Sequence, residues 1–165
     1  MTIRVGFLIT AAVLLTVTGC TADGAPTVTD RKSLPVTVIA EAQHCGDDDG
    51  PAVTRIDNTD DLIRRYDRLG IPAPVPEIDF DDRQVLLLGM GQQPTPGYGM
   101  ADPDVRLHDD TLLITIDWQQ PLPGLLQAQV ITSPCLLISL PAVPFERIEV
   151  RDRDGQLRMS DHGSR

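Results

Sequence analysis

Aromatic side chains are scarce in this 165-residue chain: three Phe, two Tyr and one Trp, 4 % of the total. A core built from it must rest on Leu, Ile and Val. Histidine is equally sparse. His44, His108 and His162 stand far apart, and no H-E-x-x-H spacing brings two of them onto one helix face. There is no G-x-S-x-G elbow and no C-x-x-C pair. The chain is therefore read as non-enzymatic, with no cofactor and no metal. Basic residues are also few: 14 Lys and Arg face 24 Asp and Glu, for a net charge of −10. Such a balance argues against nucleic acid as a partner, since nothing supplies the counter-charge a polyanion needs.

What is present begins with an apolar run. Arg4 precedes Val5 to Val17, a stretch too short for a permanent membrane span and of the length of a secretory signal. The run ends Val17-Thr18-Gly19-Cys20, which resembles a bacterial lipobox. We expect a signal peptide over 1–19 and lipidation of Cys20, which would tie the chain to a membrane by its N-terminal lipid. Residues 20–34, small, polar and proline-bounded, read as a flexible lipidated tether. The expected location is exported and membrane-anchored: the outer membrane facing the periplasm in a Gram-negative cell, otherwise the cell surface. That leaves a single domain over 35–158 and a frayed tail over 159–165. Cys45 and Cys135 remain in an oxidising compartment, and a disulfide between them is expected. The alternative is two buried free thiols.

Val36, Val38 and Ala40 alternate in the first expected strand, 35–42. A turn-rich acidic loop follows. In NTDDLIRRYDRLG, Asn58 or Thr59 can cap a helix, and Asp60 and Asp61 suit its N-terminal dipole. Leu62, Ile63, Tyr66 and Leu69 are placed on one face, and Asp60–Arg64 and Asp61–Arg65 are i,i+4 pairs. Gly70 stops the helix. Beyond it the pattern turns to β. QVLLLGM (84–90) is apolar on both faces and reads as a central strand, and 105–119 holds a hairpin turning at His108-Asp109-Asp110. AQVITSPCLLISL (128–140) is broken at Pro134, and a last strand runs within 144–157. We expect a mainly β domain: an antiparallel sheet, folded as a sandwich or partial barrel, with one packed α-helix. The alternative label for the same content is α+β.

GMGQQPTPGYGM (89–100) imitates a phosphate loop, but Pro94 replaces the third glycine and no helix can follow Pro94 and Pro96. Pro96-Gly97 is instead the central pair of a type II turn. Asp47, Asp49 and Gly50 occupy calcium-loop positions without the ligands at positions 1 and 12, so no EF-hand forms. Asp79, Asp81 and Asp82 read as a solvated rim.

The order of these short motifs resembles a known family. Val75-Pro76-Glu77-Ile78-Asp79-Phe80, then QVLLLGMG, then Thr95-Pro96-Gly97-Tyr98, is similar to the C-terminal domain of the protease-complex subunit PrcB family. Pro121-Leu122-Pro123-Gly124 and Gln129 to Pro134 continue the likeness, which spans roughly Ile56 to Val150. Two departures stand out: Pro96 in place of a first glycine, and Cys135 in place of an aromatic residue. The second fits a pairing of Cys135 with Cys45.

The resemblance implies a non-catalytic, lipid-anchored accessory protein that binds and stabilises another exported protein, such as a protease-complex subunit. Thr95, Pro96, Gly97, Tyr98, Pro121, Pro123 and Gly124 are the partner-binding candidates it carries over. Their other reading is purely structural, as turn formers and a packed tyrosine. The alternative function is an envelope lipoprotein that binds a small molecule or cation, between helix and sheet or at the Asp47–Asp49 loop.

Overall fold

The computed structural model describes residues 31–46, 50–124 and 126–162. The expected signal peptide, Cys20, most of the expected tether, and Asp47 and Asp49 lie outside the described residues. The elements run β1 (Lys32–Leu34), β2 (Thr37–Ala42), β3 (Ala52–Ile56), α1 (Thr59–Arg68), β4 (Arg83–Gly89), β5 (Gly99–His108), β6 (Thr111–Gln119), β7 (Cys135–Pro141), β8 (Arg147–Asp152) and β9 (Leu157–His162). Two sheets form, of order β1-β5-β6-β8-β9 and β2-β7-β4-β3. All pairings are antiparallel except β6 with β8. That pair is parallel because the chain leaves β6, crosses the other sheet as β7, and returns.

The continuous apolar character of β4 and β7 has a direct cause: both of their faces are covered. Leu86, Leu88, Leu136, Ile138 and Leu140 meet Val105, Leu112, Ile114, Ile116, Ile148 and Val150 of the facing sheet. Val85, Leu87 and Leu137, on the other face, pack with Leu62, Tyr66 and Leu69 of the helical segment. The molecule is thus three layers, sheet on sheet on helix, and the sandwich with one packed helix read from the sequence is what forms.

The helix begins where its cap dictates. Asn58 Oδ1 accepts from the Asp61 N–H at 2.9 Å. It ends in a Schellman motif: the Gly70 N–H donates to Asp67 O, the Ile71 N–H donates to Tyr66 O, and Gly70 holds φ +59°. Two details depart from the sequence reading. Ile63 is 47 % exposed, because the buried stripe follows Leu62, Tyr66 and Leu69 at i, i+4 and i+7 and leaves i+1 outside. Arg64 pairs with Asp61 at i,i+3, not with Asp60. Tyr66 is buried and its hydroxyl donates to Ile39 O at 2.9 Å, which ties the helix to β2. Burial pushes its pKa up. Tyr66→Phe should lower stability by about 1 kcal/mol in urea unfolding, the net worth of one such bond plus an orphaned carbonyl.

The sheets also reach further than the expected domain boundaries. Lys32–Leu34, placed in the tether, pair with Leu107–Val105. Met159, placed in the frayed tail, is buried, and β9 continues to His162. The first expected strand starts at Thr37 rather than 35. The strand expected over 128–140 begins only at Cys135, directly after Pro134. β3, a short edge strand with two of its five residues exposed, was not read from the sequence, which placed only Ala52 in the acidic loop.

Asp152 closes the β8–β9 turn. Its buried carboxylate accepts from the Gln156 N–H at 2.8 Å and from Arg158 Nε at 2.8 Å, and Arg158 lies 5.0 Å over the Trp118 ring. Desolvation pushes the carboxyl pKa up, but the hydrogen bonds from Gln156 and Arg158, the Arg158 charge and the Asp154 backbone outweigh it, so the value sits below the ordinary one. A depressed folded-state pKa means stability that is complete above the unfolded value of about 3.9 and is lost as pH falls through the lower folded value. A series of melting temperatures from neutral pH into acid should therefore fall less steeply for Asp152→Asn than for wild type.

Candidate protein-binding face

The residues singled out in the sequence meet at one end of the sandwich. β4 stops at Gly89, and Gly91 (φ +71°) lets the chain pass the backbone of Gly50, which a Cβ would approach to 2.6 Å. Gln93 then pairs with Thr132 through both backbone bonds, at 2.7 and 3.0 Å. Thr132 Oγ1 donates to Thr95 O at 3.2 Å. Gly97 has φ +96°, as the third position of a type II turn requires. A Cβ there would sit 3.3 Å from Pro121. The Thr95–Gly97 turn and the Pro121–Gly124 loop are therefore neighbours, brought together by the Gly99–Gln119 pair that joins the start of β5 to the end of β6.

Tyr98 is half-buried, with part of its ring packed against the inter-sheet core. Thr95, Pro96 and Pro121 are half-buried, while Gly97, Pro123 and Gly124 are exposed. Gly124 holds φ +84° with open space where a Cβ would be.

The disulfide lies beneath this face. Cys45 and Cys135 are bonded, with Cα atoms 5.8 Å apart. Around them the Cys45 N–H donates to Ser133 O at 2.9 Å and the Ser133 N–H donates to Gln43 O at 2.8 Å. The segment entering β7 is thus clamped on one side by residues 43–45 and on the other by Gln93. Two depressions open beside it. One of about 450 Å³ is lined by Gln92, Gln93, Pro94, Gln129 and Ile131. The other, of about 350 Å³, holds His44, Arg68 and Thr132 and shares Gln92 and Ile131 with the first, so the two form one groove.

The sequence reading missed the side chains that surround the turn. Leu122 (71 % exposed), Val130 (51 %) and Ile131 (64 %) are uncovered, and Leu126 is fully so. These are most of the large apolar side chains that the described residues leave exposed, and they fall within one ten-residue stretch. The signal that could have found them is charge. No charged residue occurs from Gln84 to Ala101, nor from Trp118 to Phe145. In a chain that is 23 % charged, two long uncharged runs ending on the same surface mark a face from which charge is withheld. Depletion of charge at an exposed patch is the compositional mark of the centre of a protein interface.

The other candidates do not converge. His44 lines the groove, His108 stands at the β5–β6 hairpin 3.5 Å from Asp109, and His162 ends β9. Among the described residues, no three His, Cys, Asp or Glu side chains gather at a point. Asp79 shapes the turn into β4, its Oδ1 accepting from the Asp81 N–H at 3.0 Å. The space between helix and sheet, read as the alternative ligand pocket, is filled by the fully buried Leu62, Val85 and Leu137.

Residues 84–141 match the family model described as PrcB C-terminal. This segment is PrcB-like. The match runs from β4 to the end of β7 and contains both loops of the face, the first uncharged run and the second as far as Pro141. It covers the central part of the resemblance drawn between Ile56 and Val150; the Val75–Phe80 motif lies outside it. No curated protein and no solved structure gives a match.

Proposed function

We propose that the chain is a non-catalytic, lipid-anchored envelope protein whose PrcB-like domain binds and stabilises another exported protein, a component of a cell-surface protease complex. The observation that carries this reading is that Leu122, Leu126, Val130 and Ile131 stand uncovered, on an uncharged run, beside the Thr95–Gly97 turn. Water contact with those four side chains is unfavourable by about 25 cal/mol for each Å² of apolar surface, and a partner removes it.

The topology supports the orientation such a role needs. Lys32 pairs with Leu107 beside the β5–β6 hairpin, so the chain arrives at that end of the sheet. The binding face lies at the Gly99–Gln119 end, across the nine residues of β6, about 30 Å away at 3.3 Å per residue. A lipid on Cys20 would hold the domain by its hairpin end and turn the face toward the aqueous phase.

Deleting the gene should lower the steady-state level of at least one exported protease-complex protein. Re-expressing the wild-type chain should restore it, and re-expressing Val130→Asp, which places a charge at the centre of the face, should not. An envelope proteome unchanged by the deletion contradicts the proposal.

A further inference from the structure

We infer that residues Leu126–Ile131 accept an extended, uncharged segment of the partner as an added β-strand; this rests on the protein-binding reading above and specifies its mode. Residues 126–131 run without a turn or bend, yet belong to no strand. None of their backbone N–H or C=O groups is hydrogen-bonded among the described residues. They lead directly into Thr132, which forms an isolated antiparallel bridge with Gln93 beyond the end of the β4–β7 ladder.

The pairing stops there because the opposite chain leaves. The next pair to exchange bonds would be Thr95 with Val130, but Thr95 O accepts from Thr132 Oγ1 and Thr95 already enters the Pro96-Gly97 turn. The chain opposite then turns away at Pro96-Gly97. A strand-like segment is thereby held at one end and left open along its length. Exposed strand edges are normally blunted by lysine, by inward charges or by proline within the edge itself. This segment has none of them: it reads LLQAQVI across 125–131.

Side-chain chemistry names the occupant. A strand laid here would place alternate side chains toward the depression formed by Gln92, Gln93, Pro94, Gln129 and Ile131, of about 450 Å³, which has room for one medium apolar residue and offers amides but no charge. Backbone pairing supplies affinity and such a pocket supplies selectivity, the pattern of strand-addition modules. A second copy of this chain is disfavoured by the net charge of −10 that each copy carries.

The test is a displayed library of random ten-residue peptides, panned against the full oxidised chain in detergent, followed by synthesis of the most enriched peptide. The expected winners are uncharged and rich in β-branched residues, and Val130→Asp weakens them at least tenfold without shifting the melting temperature. The decisive arm is N-methylation of the synthetic peptide at alternate residues, in its two registers. A strand presents successive N–H groups to opposite edges, so one register should weaken binding at least tenfold and the other should change it little. Equal tolerance of both registers, with binding still sensitive to Val130→Asp, overturns strand addition and leaves the protein-binding face standing. Failure to enrich any peptide, or a peptide-free dimer joined through these residues, also overturns it.

Discussion

Replacing either cysteine of the disulfide should lower the stability of the domain by about 4–5 kcal/mol, the loop-closure term for the 90 residues between Cys45 and Cys135. The melting temperature should fall by roughly 10–20 °C for a domain of this size. The effect is large because the bond joins two distant segments that little else holds so closely. Cys135 is the first residue of a central strand, buried against Leu137 and the helix, whereas Cys45 lies in the connection between two edge strands. Among the described residues, the bond is joined in fastening that connection by the contacts of Gln43, His44 and Cys45 with Ser133. Cys45→Ser, Cys135→Ser and the double variant should lose similar amounts, since each removes the same constraint. Thermal and urea unfolding with and without reductant measure this. A loss under about 1 kcal/mol would mean that hydrogen bonds alone fix the connection and the chain-entropy account fails.

Cutting the central strand β7 from either face should be almost as costly. Ile138 points between the sheets and the adjacent Leu137 points toward the helix, and both are fully buried. Ile138→Ala and Leu137→Ala should each destabilise by about 2–5 kcal/mol, the loss of buried methylenes plus the cavity left behind. The pair discriminates between architectures. A sheet with one wet face would lose several kcal/mol for one substitution and little for its neighbour. Equal losses require three layers, with α1 contributing as much cover as the facing sheet. A Leu137→Ala cost near that of a surface substitution would show that the helix is not docked as described.

The parts of this fold that were legible in the sequence are those specified locally. The helix declared itself through Asn58, the two aspartates behind it and Gly70, each of which acts on its own neighbours. β4 declared itself because burial on both faces leaves no polar alternation to misread. The β5–β6 hairpin turned where His108-Asp109-Asp110 interrupt the alternation, with Asp109 at φ +51°. β1, β3 and β9 were not legible. They are short strands at the margins of their sheets, with polar or mixed composition, and they become strands only because Leu107, Leu88 and Val150 lie opposite with groups to bond. The segment before Pro134 was read as strand because the run from 128 to 140 is long and apolar. It lacks a partner strand in the structure, since the opposing chain turns away at Pro96-Gly97 after the single Gln93–Thr132 bridge.

The candidate site was legible in the same partial way. Pro96-Gly97 gave the turn, because both residues act on their own backbone angles. That the turn lies against Pro121 depends on the register of β5 and β6, which no local pattern contains. Tyr98, carried over as a partner-binding residue, is half-buried against the core, while Leu122, Leu126, Val130 and Ile131 are exposed. Their exposure follows from the isolated Gln93–Thr132 bridge, after which the chains part, a tertiary event, although the two uncharged runs that frame them can be seen in the sequence alone.

The most direct test of the account is site-specific photo-crosslinking in the living cell. A photoreactive residue at Val130 or Leu122, on the face, is compared with one at Ile63, an exposed apolar position on the helix. The account predicts one dominant exported partner captured from positions 130 and 122 and not from 63. Capture equal at all three positions, or from position 63 alone, would contradict the assignment of the uncharged face as the binding surface.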